Sequence, residues 1–186
     1  MCRWTTDLGV LGPGHRSACL LHVLALDAND RYQRFGLPMS DERVMAWAQQ
    51  VRLDHGLWLG AWGPGDTGLL GLLQLAPTGA DAVHELALTV LPAARRQGMG
   101  TALLATALGG AHRPPPATLV CEHGHPAMVA MARRLGLTIL PDAHPGRLRM
   151  VRAGLAPAQA LVQPSVQPSV QPSVQPLDQA ACNRKV

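Results

Sequence analysis

His84-Glu-Leu-Ala-Leu-Thr-Val-Leu-Pro-Ala-Ala-Arg-Arg-Gln-Gly-Met-Gly-Thr-Ala-Leu-Leu104 is the stretch that decides how this chain is read. Its first half is a run of strand formers that ends at Pro92, a residue with no amide to continue a ladder. A short loop carrying Arg and Gly follows, and a helix begins near Gly98. The first turn of a helix leaves several N–H groups without partners, and the dipole makes that end positive. A strand–loop–helix junction of this kind suits a phosphate or pyrophosphate. Gly98 and Gly100 lack Cβ, so an anion can come close to the backbone. Arg95 and Arg96 add positive charge beside it.

Outward from that junction, helical and extended runs alternate over residues 15–155. Arg16–Asp27 reads as a helix with Leu20, Val23, Leu24 and Asp27 near one side. Ser40 is a good N-cap, and Asp41 and Glu42 suit the positive end of a helix that runs to about Leu53. Leu57–Trp62, Gly68–Ala76 and Val83–Leu91 read as strands, separated by the turn clusters Gly63-Pro64-Gly65-Asp66 and Thr78-Gly79-Ala80-Asp81. Met99–Ala111 is helical until Arg113-Pro-Pro-Pro stops it. Ala117–Glu122 reads as a strand. Pro126–Leu135 is a helix in which Met128, Met131, Ala132 and Leu135 follow helical spacing. Leu137–Leu140 and Arg147–Ala153 close the pattern as strands, and a weakly marked first strand lies somewhere in Cys2–Leu11. This succession predicts a mixed α/β domain.

The chain has 186 residues, 47 % of them hydrophobic and 15 % charged, which excludes a wholly disordered chain. Aromatic residues make up 3 %, against an aromatic-rich β-sandwich. The net charge of +4 is spread along the chain, with no basic stripe interleaved with aromatics, so a nucleic-acid partner is not expected. Cys2, Cys19, Cys121 and Cys182 form no CxxC pair, which points to reduced thiols and a cytoplasmic protein. No apolar run reaches the roughly 20 residues of a membrane span. Ala18–Leu26 resembles a signal core most, yet it contains His22 and runs into Asp27 and Asp30, as an amphipathic helix does. Beyond residue 155 the composition changes. Val162-Gln-Pro-Ser recurs from Val166 and Val170 and trails off at Val174-Gln-Pro. A Pro every fourth residue blocks helix and sheet alike, so 156–186 is expected to be an extended, polyproline-like or disordered tail.

The quoted stretch resembles the Gcn5-related N-acetyltransferase (GNAT) family. The family's cofactor motif, Gln/Arg-x-x-Gly-x-Gly/Ala, stands here as Arg95-Arg96-Gln97-Gly98-Met99-Gly100, just after a Val-x-Pro strand end at Val90-Leu91-Pro92. Cys121–Leu137 fits as well, with Arg-Arg-Leu-Gly-Leu where the family usually has Lys-x-Gly-Phe. The resemblance covers residues 15–153 and is closest to the bacterial protein-lysine-acetyltransferase-like branch. It implies a mostly antiparallel, twisted central sheet with a V-shaped split between strands 4 and 5, flanked by about four helices. The domain would be residues 1–155. The implied activity is acetyl transfer from acetyl-CoA, as co-substrate, to an amine by direct attack, with no metal. Under the resemblance, the amides of Gln97, Gly98, Met99, Gly100 and Thr101, with Arg95 and Arg96 beside them, bind the pyrophosphate. Backbone groups of Leu88, Thr89 and Val90 pair with the pantetheine arm as an added strand would. The partners implied are an amine-bearing small molecule or a protein lysine, with a homodimer left open and no membrane.

An ammonium has no lone pair, so attack needs a base. Glu85 stands five residues before Val90, where several branches of the family place a Glu. Strand alternation puts Glu85, Ala87 and Thr89 on one face and His84, Leu86, Leu88 and Val90 on the other. Apolar strand neighbours are expected to raise the Glu85 pKa. His84 competes with it if the faces are reversed. Many family members carry a Tyr acid four residues before the Gly that ends the last helix; that position is Ala132, so no general acid is named, and a catalytically weak acyl-CoA sensor is the alternative function. His125 stands where the family often has Asn. Cys121-Glu122-His123-Gly124-His125 matches no standard zinc spacing. Cys121 reads as a buried strand thiol before a nucleophile, and Trp47, Trp58 and Trp62 as core or pocket wall. Arg31 and Arg34 are candidates either for structural ion pairs or for holding an acidic substrate.

Overall fold

A seven-stranded sheet runs through the computed structural model, which describes residues 7–65, 68–78, 83–111, 116–121, 124–142 and 144–152. Its strands are β1 (Asp7–Val10), β2 (Leu57–Trp62), β3 (Leu69–Pro77), β4 (Val83–Val90), β5 (Thr118–Cys121), β6 (Leu137–Leu140) and β7 (Leu148–Arg152). Their order across the sheet is β1-β2-β3-β4-β5-β7-β6. Every neighbouring pair is antiparallel except β4 and β5. The helices are α1 (Arg16–Leu24), α2 (Ala28–Phe35), α3 (Asp41–Gln50), α4 (Met99–Thr106) and α5 (Pro126–Arg134).

The register between β4 and β5 creates the site. The two strands pair only at Val83↔Thr118, His84↔Leu119 and Glu85↔Val120. On its other side β4 stays paired with β3 as far as Gly71↔Val90. From Leu86 onward β4 therefore has a bare edge toward β5, as the V-shaped split expected from the resemblance requires.

The helix expected over Arg16–Asp27 stops at Leu24, and after a corner the chain forms α2, a fifth helix beyond the four expected from the sequence. Asp27 does not continue α1; its carboxylate accepts from the Asp30 N–H at 2.8 Å and caps α2. Aspartate is a weak helix former and a strong N-cap, and the cap prevails here. Gly36, at φ 71°, ends α2 in the left-handed conformation that glycine adopts without strain. Ser40 caps α3 as expected, and α3 stops at Gln50 rather than Leu53. The run expected to be helical to Ala111 leaves α-geometry after Thr106, and a wider turn over Ala107–Ala111 ends it, with Gly110 at φ 129°.

Strand alternation divides the core in two. Leu57, Leu59 and Ala61 of β2, with Leu73 and Leu75 of β3, face α4 and α5. Trp58 of β2, with Leu69 and Leu72 of β3, faces the Cys19 and Val23 side of α1 and Val44 of α3. β4 obeys the same rule: Leu86 packs toward α4, and Thr89 lies under α1. Gly71 of β3 lets α4 approach, since a Cβ there would stand 2.9 Å from Leu103 Cδ1.

Candidate active site

A cavity of about 740 Å³ opens where β4 and β5 part. Its floor is the bare stretch Leu86–Val90 of β4. α2 borders one end through Asn29, Gln33 and Arg34, and α5 walls it with Met128 and Met131. The N-terminus of α4 faces it through Gly98–Thr101.

The loop into α4 has the backbone that its sequence demands. Arg95 is extended, Arg96 sits at φ 63° and Gly98 at φ 86°. The first helical amide returned to the chain is Ala102 N–H, which donates to the Gly98 carbonyl at 2.9 Å. The N–H groups of Gly98, Met99, Gly100 and Thr101 precede it and have no intrahelical partner. A Cβ on Gly100 would lie 3.0 Å from Met131 Sδ, so glycine keeps the floor clear between α4 and α5.

The expected cofactor residues divide into groups. Leu88, Thr89, Val90, Arg95, Arg96, Gly98, Met99, Gly100 and Thr101 all border the cavity. Gln97 does not; its side-chain amide donates to the Ala93 carbonyl at 3.1 Å. Arg95 borders the cavity, but its guanidinium is already engaged. Nε donates to the Val90 carbonyl at 2.9 Å, and Nη2 pairs with Asp30 of α2. Arg95 thus ties the loop to the opposite wall and does not reach outward. Arg96 is exposed.

Glu85 is the last β4 residue in register with β5, and it opens onto the cavity. The apolar enclosure expected around its carboxylate is not there, because the residue is exposed. His84, its competitor, is buried and does not border the cavity. The face assignment drawn from alternation therefore stands: Glu85, Ala87 and Thr89 look toward α1 and α2.

His22 is a site-forming residue that the sequence reading passed over. Its Nδ1 lies 2.8 Å from the Leu69 carbonyl and its Nε2 2.8 Å from Thr89 Oγ1. A carbonyl can only accept, so Nδ1 carries the proton and Nε2 accepts from the Thr89 hydroxyl. Burial draws the ring's pKa down from 6.5 to about 4, so it is neutral at pH 7. The clue in the sequence was a lone His inside the apolar run Ala18–Leu26.

The two arginines of α2 have different fates. Arg31 donates to the carbonyls of Val23, Leu24, Leu26 and Met39 and to the Asp41 carboxylate. It is the structural clamp of the α1–α2 corner. Arg34 borders the cavity, over the rings of Phe35, Trp47 and Trp58. Burial draws its guanidinium down to about 10, and the charge of Glu85 is among those opposing that fall. Trp58 is core, its Nε1 donating to the Arg52 and His55 carbonyls. On α5, Ala132 is fully buried, and His125 caps the helix by accepting from the Ala127 N–H at 3.1 Å. Cys121 is a buried thiol that borders the cavity. Glu122 and His123 lie outside the described residues; among those described, no three of His, Cys, Asp and Glu gather as metal ligands. No helix among them is long and apolar enough to cross a membrane.

Known proteins agree with this geometry. The family model described as the acetyltransferase (GNAT) family matches residues 22–137. No curated protein sequence matches. Among solved structures, the GNAT domain of a Streptomyces lividans protein, PAT, superposes with a TM-score of 0.60 at 16 % identity, covering 78 % of this chain and 88 % of that one. The ribosomal-protein-S18-alanine N-acetyltransferase of Escherichia coli gives 0.53 at 18 % identity, with 80 % and 93 % covered. The PaiA N-acetyltransferase of Thermoplasma acidophilum, in complex with coenzyme A, gives 0.55 at 15 %, with 80 % and 98 % covered. At such identities these structures speak for the fold, and the matched residues, which include both the open β4 edge and the N-terminus of α4, speak for the lineage: the chain belongs to the acetyltransferase (GNAT) family.

Proposed function

We propose that the chain transfers the acetyl group of acetyl-CoA directly to an amine held beside Glu85. Membership in the family makes it an acyl-CoA-dependent N-acetyltransferase; the roles of individual residues are the proposal. One observation carries it: β4 loses its β5 partner immediately after Glu85, and its bare edge leads to the unpaired amides at the start of α4.

The residues suit the co-substrate. The N–H groups of Gly98, Met99, Gly100 and Thr101 cradle a diphosphate, with Arg96 adding charge. Backbone groups of Leu88, Thr89 and Val90 receive the amides of the pantetheine arm, although the Val90 carbonyl already accepts from Arg95. What acetyl-CoA supplies is an acyl carbon with a thiolate leaving group. A β4 N–H donates to the thioester oxygen and favours the charge that develops there. The Glu85 carboxylate takes the proton of the ammonium and, being exposed, passes it to water. The amine nitrogen bonds to the acyl carbon as the carbon–sulfur bond breaks, and the second proton leaves that nitrogen for water as the amide forms. Ala132 offers no hydroxyl, so the thiolate takes its proton from solvent.

The acceptor is an amine-bearing small molecule or a protein lysine. The reading carries a cytoplasmic setting, which the buried thiols of Cys19 and Cys121 support. Residues 1–155 bear the activity, and 156–186 are dispensable for it.

Transfer to a panel of amines, followed by release of free thiol, tests the reading. Glu85→Gln is expected to lower kcat by about a hundredfold or more while leaving the coenzyme A affinity unchanged. Unaltered turnover in that variant removes Glu85 from the mechanism. Ala132, in the place of a family Tyr, favours the sensor as second reading: a rise in Tm with acetyl-CoA and no turnover of any amine would establish it.

A further inference from the structure

Resting on the acceptor end of the site proposed above, we infer that Arg34 receives a carboxylate carried by the acceptor, so that the acceptor is a small molecule bearing both an amine and a carboxylate. The two arginines of α2 supply the contrast. Arg31 gives its donors to four carbonyls and one carboxylate and has nothing to offer a ligand. Arg34 borders the cavity, yet its Nε and Nη1 are buried without a hydrogen-bond partner. Its Nη2 has only a long contact of 3.4 Å to Gln74 Oε1. The rings of Phe35, Trp47 and Trp58 stand 5.5, 5.9 and 5.9 Å from its central carbon. Ring faces stabilise a cation but do not replace the in-plane acceptors that its N–H groups need.

A guanidinium withdrawn from water with idle donors is costly, and a carboxylate, with two oxygens matched to the guanidinium fork, removes that cost. Among the described residues, no carboxylate pairs with Arg34. Asp30, the acid of α2, is committed to Arg95. Glu85 borders the same cavity, and its charge is felt at Arg34. A base for the amine and a cation for a carboxylate therefore lie at the same end of the cleft, as an amino acid in the broad sense requires.

The test compares acceptors that differ only in charge. Glycine against glycinamide, and β-alanine against its amide, are assayed with acetyl-CoA. The free acids are expected to have a kcat/KM about tenfold or more higher, the worth of one charge-assisted hydrogen bond. Arg34→Met is expected to bring the ratio close to one, and Arg34→Lys to restore part of it. A second readout needs no turnover: because Arg34 lies against Trp47 and Trp58, N-acetylglycine titrated into the protein without coenzyme A is expected to change tryptophan fluorescence saturably, and its amide is not. Equal kcat/KM for acid and amide, or a preference for lysine peptides blocked at their carboxyl ends, overturns the inference and leaves acetyl transfer standing. A saturable response to N-acetylglycine with no transfer to any amine has the opposite meaning: Arg34 binds carboxylates and the transferase reading fails. Absence of both the fluorescence response and the acid preference overturns the inference. The wild-type comparison decides alone if the variants do not fold.

Discussion

His22 shows how one buried ring sets both the shape of the cleft and its response to acid. Its neutral form bridges the Leu69 carbonyl and the Thr89 hydroxyl, joining α1 to β3 and β4. The folded pKa of about 4 lies below the ordinary 6.5. As pH falls below 6.5 the unfolded chain binds a proton that the folded chain refuses, so stability drops until about pH 4, where both forms are charged. The loss attributable to this residue is on the order of 3 kcal/mol. Urea unfolding of wild type and His22→Gln at pH 7 and pH 4.5 measures it: the variant is expected to lose less stability between the two, and an equal loss removes His22 as the cause. The face on which Glu85 lies was legible because β-alternation is a property of sequence alone; its candidacy as a base rests on the family resemblance. The use of His22, the engagement of Arg95 by Asp30 and the division of labour between Arg31 and Arg34 depend on contacts between residues far apart in the chain, which no local pattern encodes.

At the scale of elements, turn chemistry decided what periodicity could not. Apolar spacing runs on through Leu26, so the first helix reads as reaching Asp27, while the mostly polar run Asn29–Arg34 does not read as a helix; Asp27 instead caps α2 there. Asp27→Ala is expected to cost about 1 kcal/mol of stability, as the loss of an N-cap does. It is also expected to raise KM for the amine more than for acetyl-CoA, because α2 brings Asn29, Gln33 and Arg34 to the part of the cavity proposed to take the acceptor. Steady-state kinetics with each substrate varied checks this, and an equal rise in both KM values counts against that role. Gly98 holds φ 86° with no atom within 4 Å of where a Cβ would stand. Gly98→Ala therefore meets strain and no clash, a cost of about 1–2 kcal/mol. Calorimetric titration with coenzyme A is expected to show weaker binding, since the relaxed backbone turns its amides from the cavity; unchanged affinity would mean that the left-handed turn is not needed. All strands but β1 were legible to within a residue or two, because turn clusters and Pro92 bound them sharply, whereas nothing bounds β1 within Cys2–Leu11.

At the scale of the molecule, the alternation of elements predicted a mixed α/β domain, and the family motif added the split between strands 4 and 5. The order β5-β7-β6 was not legible, since local patterning does not say that the last strand inserts beside β5. The repeats from Val162 onward lie outside the described residues, and their dispensability rests on their composition. A chain ending at residue 156 is expected to melt within about 1 °C of the full protein, well inside the shift that a lost tertiary contact produces. A large fall in scanning calorimetry overturns that expectation. The divergence of β4 from β5 has a consequence for the life of the protein as well as for its chemistry. In the proposed binding mode, the sheet interrupted at its centre is completed by what it consumes, and the nucleotide thioester acts as a temporary structural member. At a hundredfold excess over its dissociation constant, such a guest adds about 2.7 kcal/mol to the native state. Starved of it, the polypeptide keeps an unsated ribbon edge facing water, open to proteolysis and to stray pairing, and its abundance would then report on the metabolic supply of acyl groups.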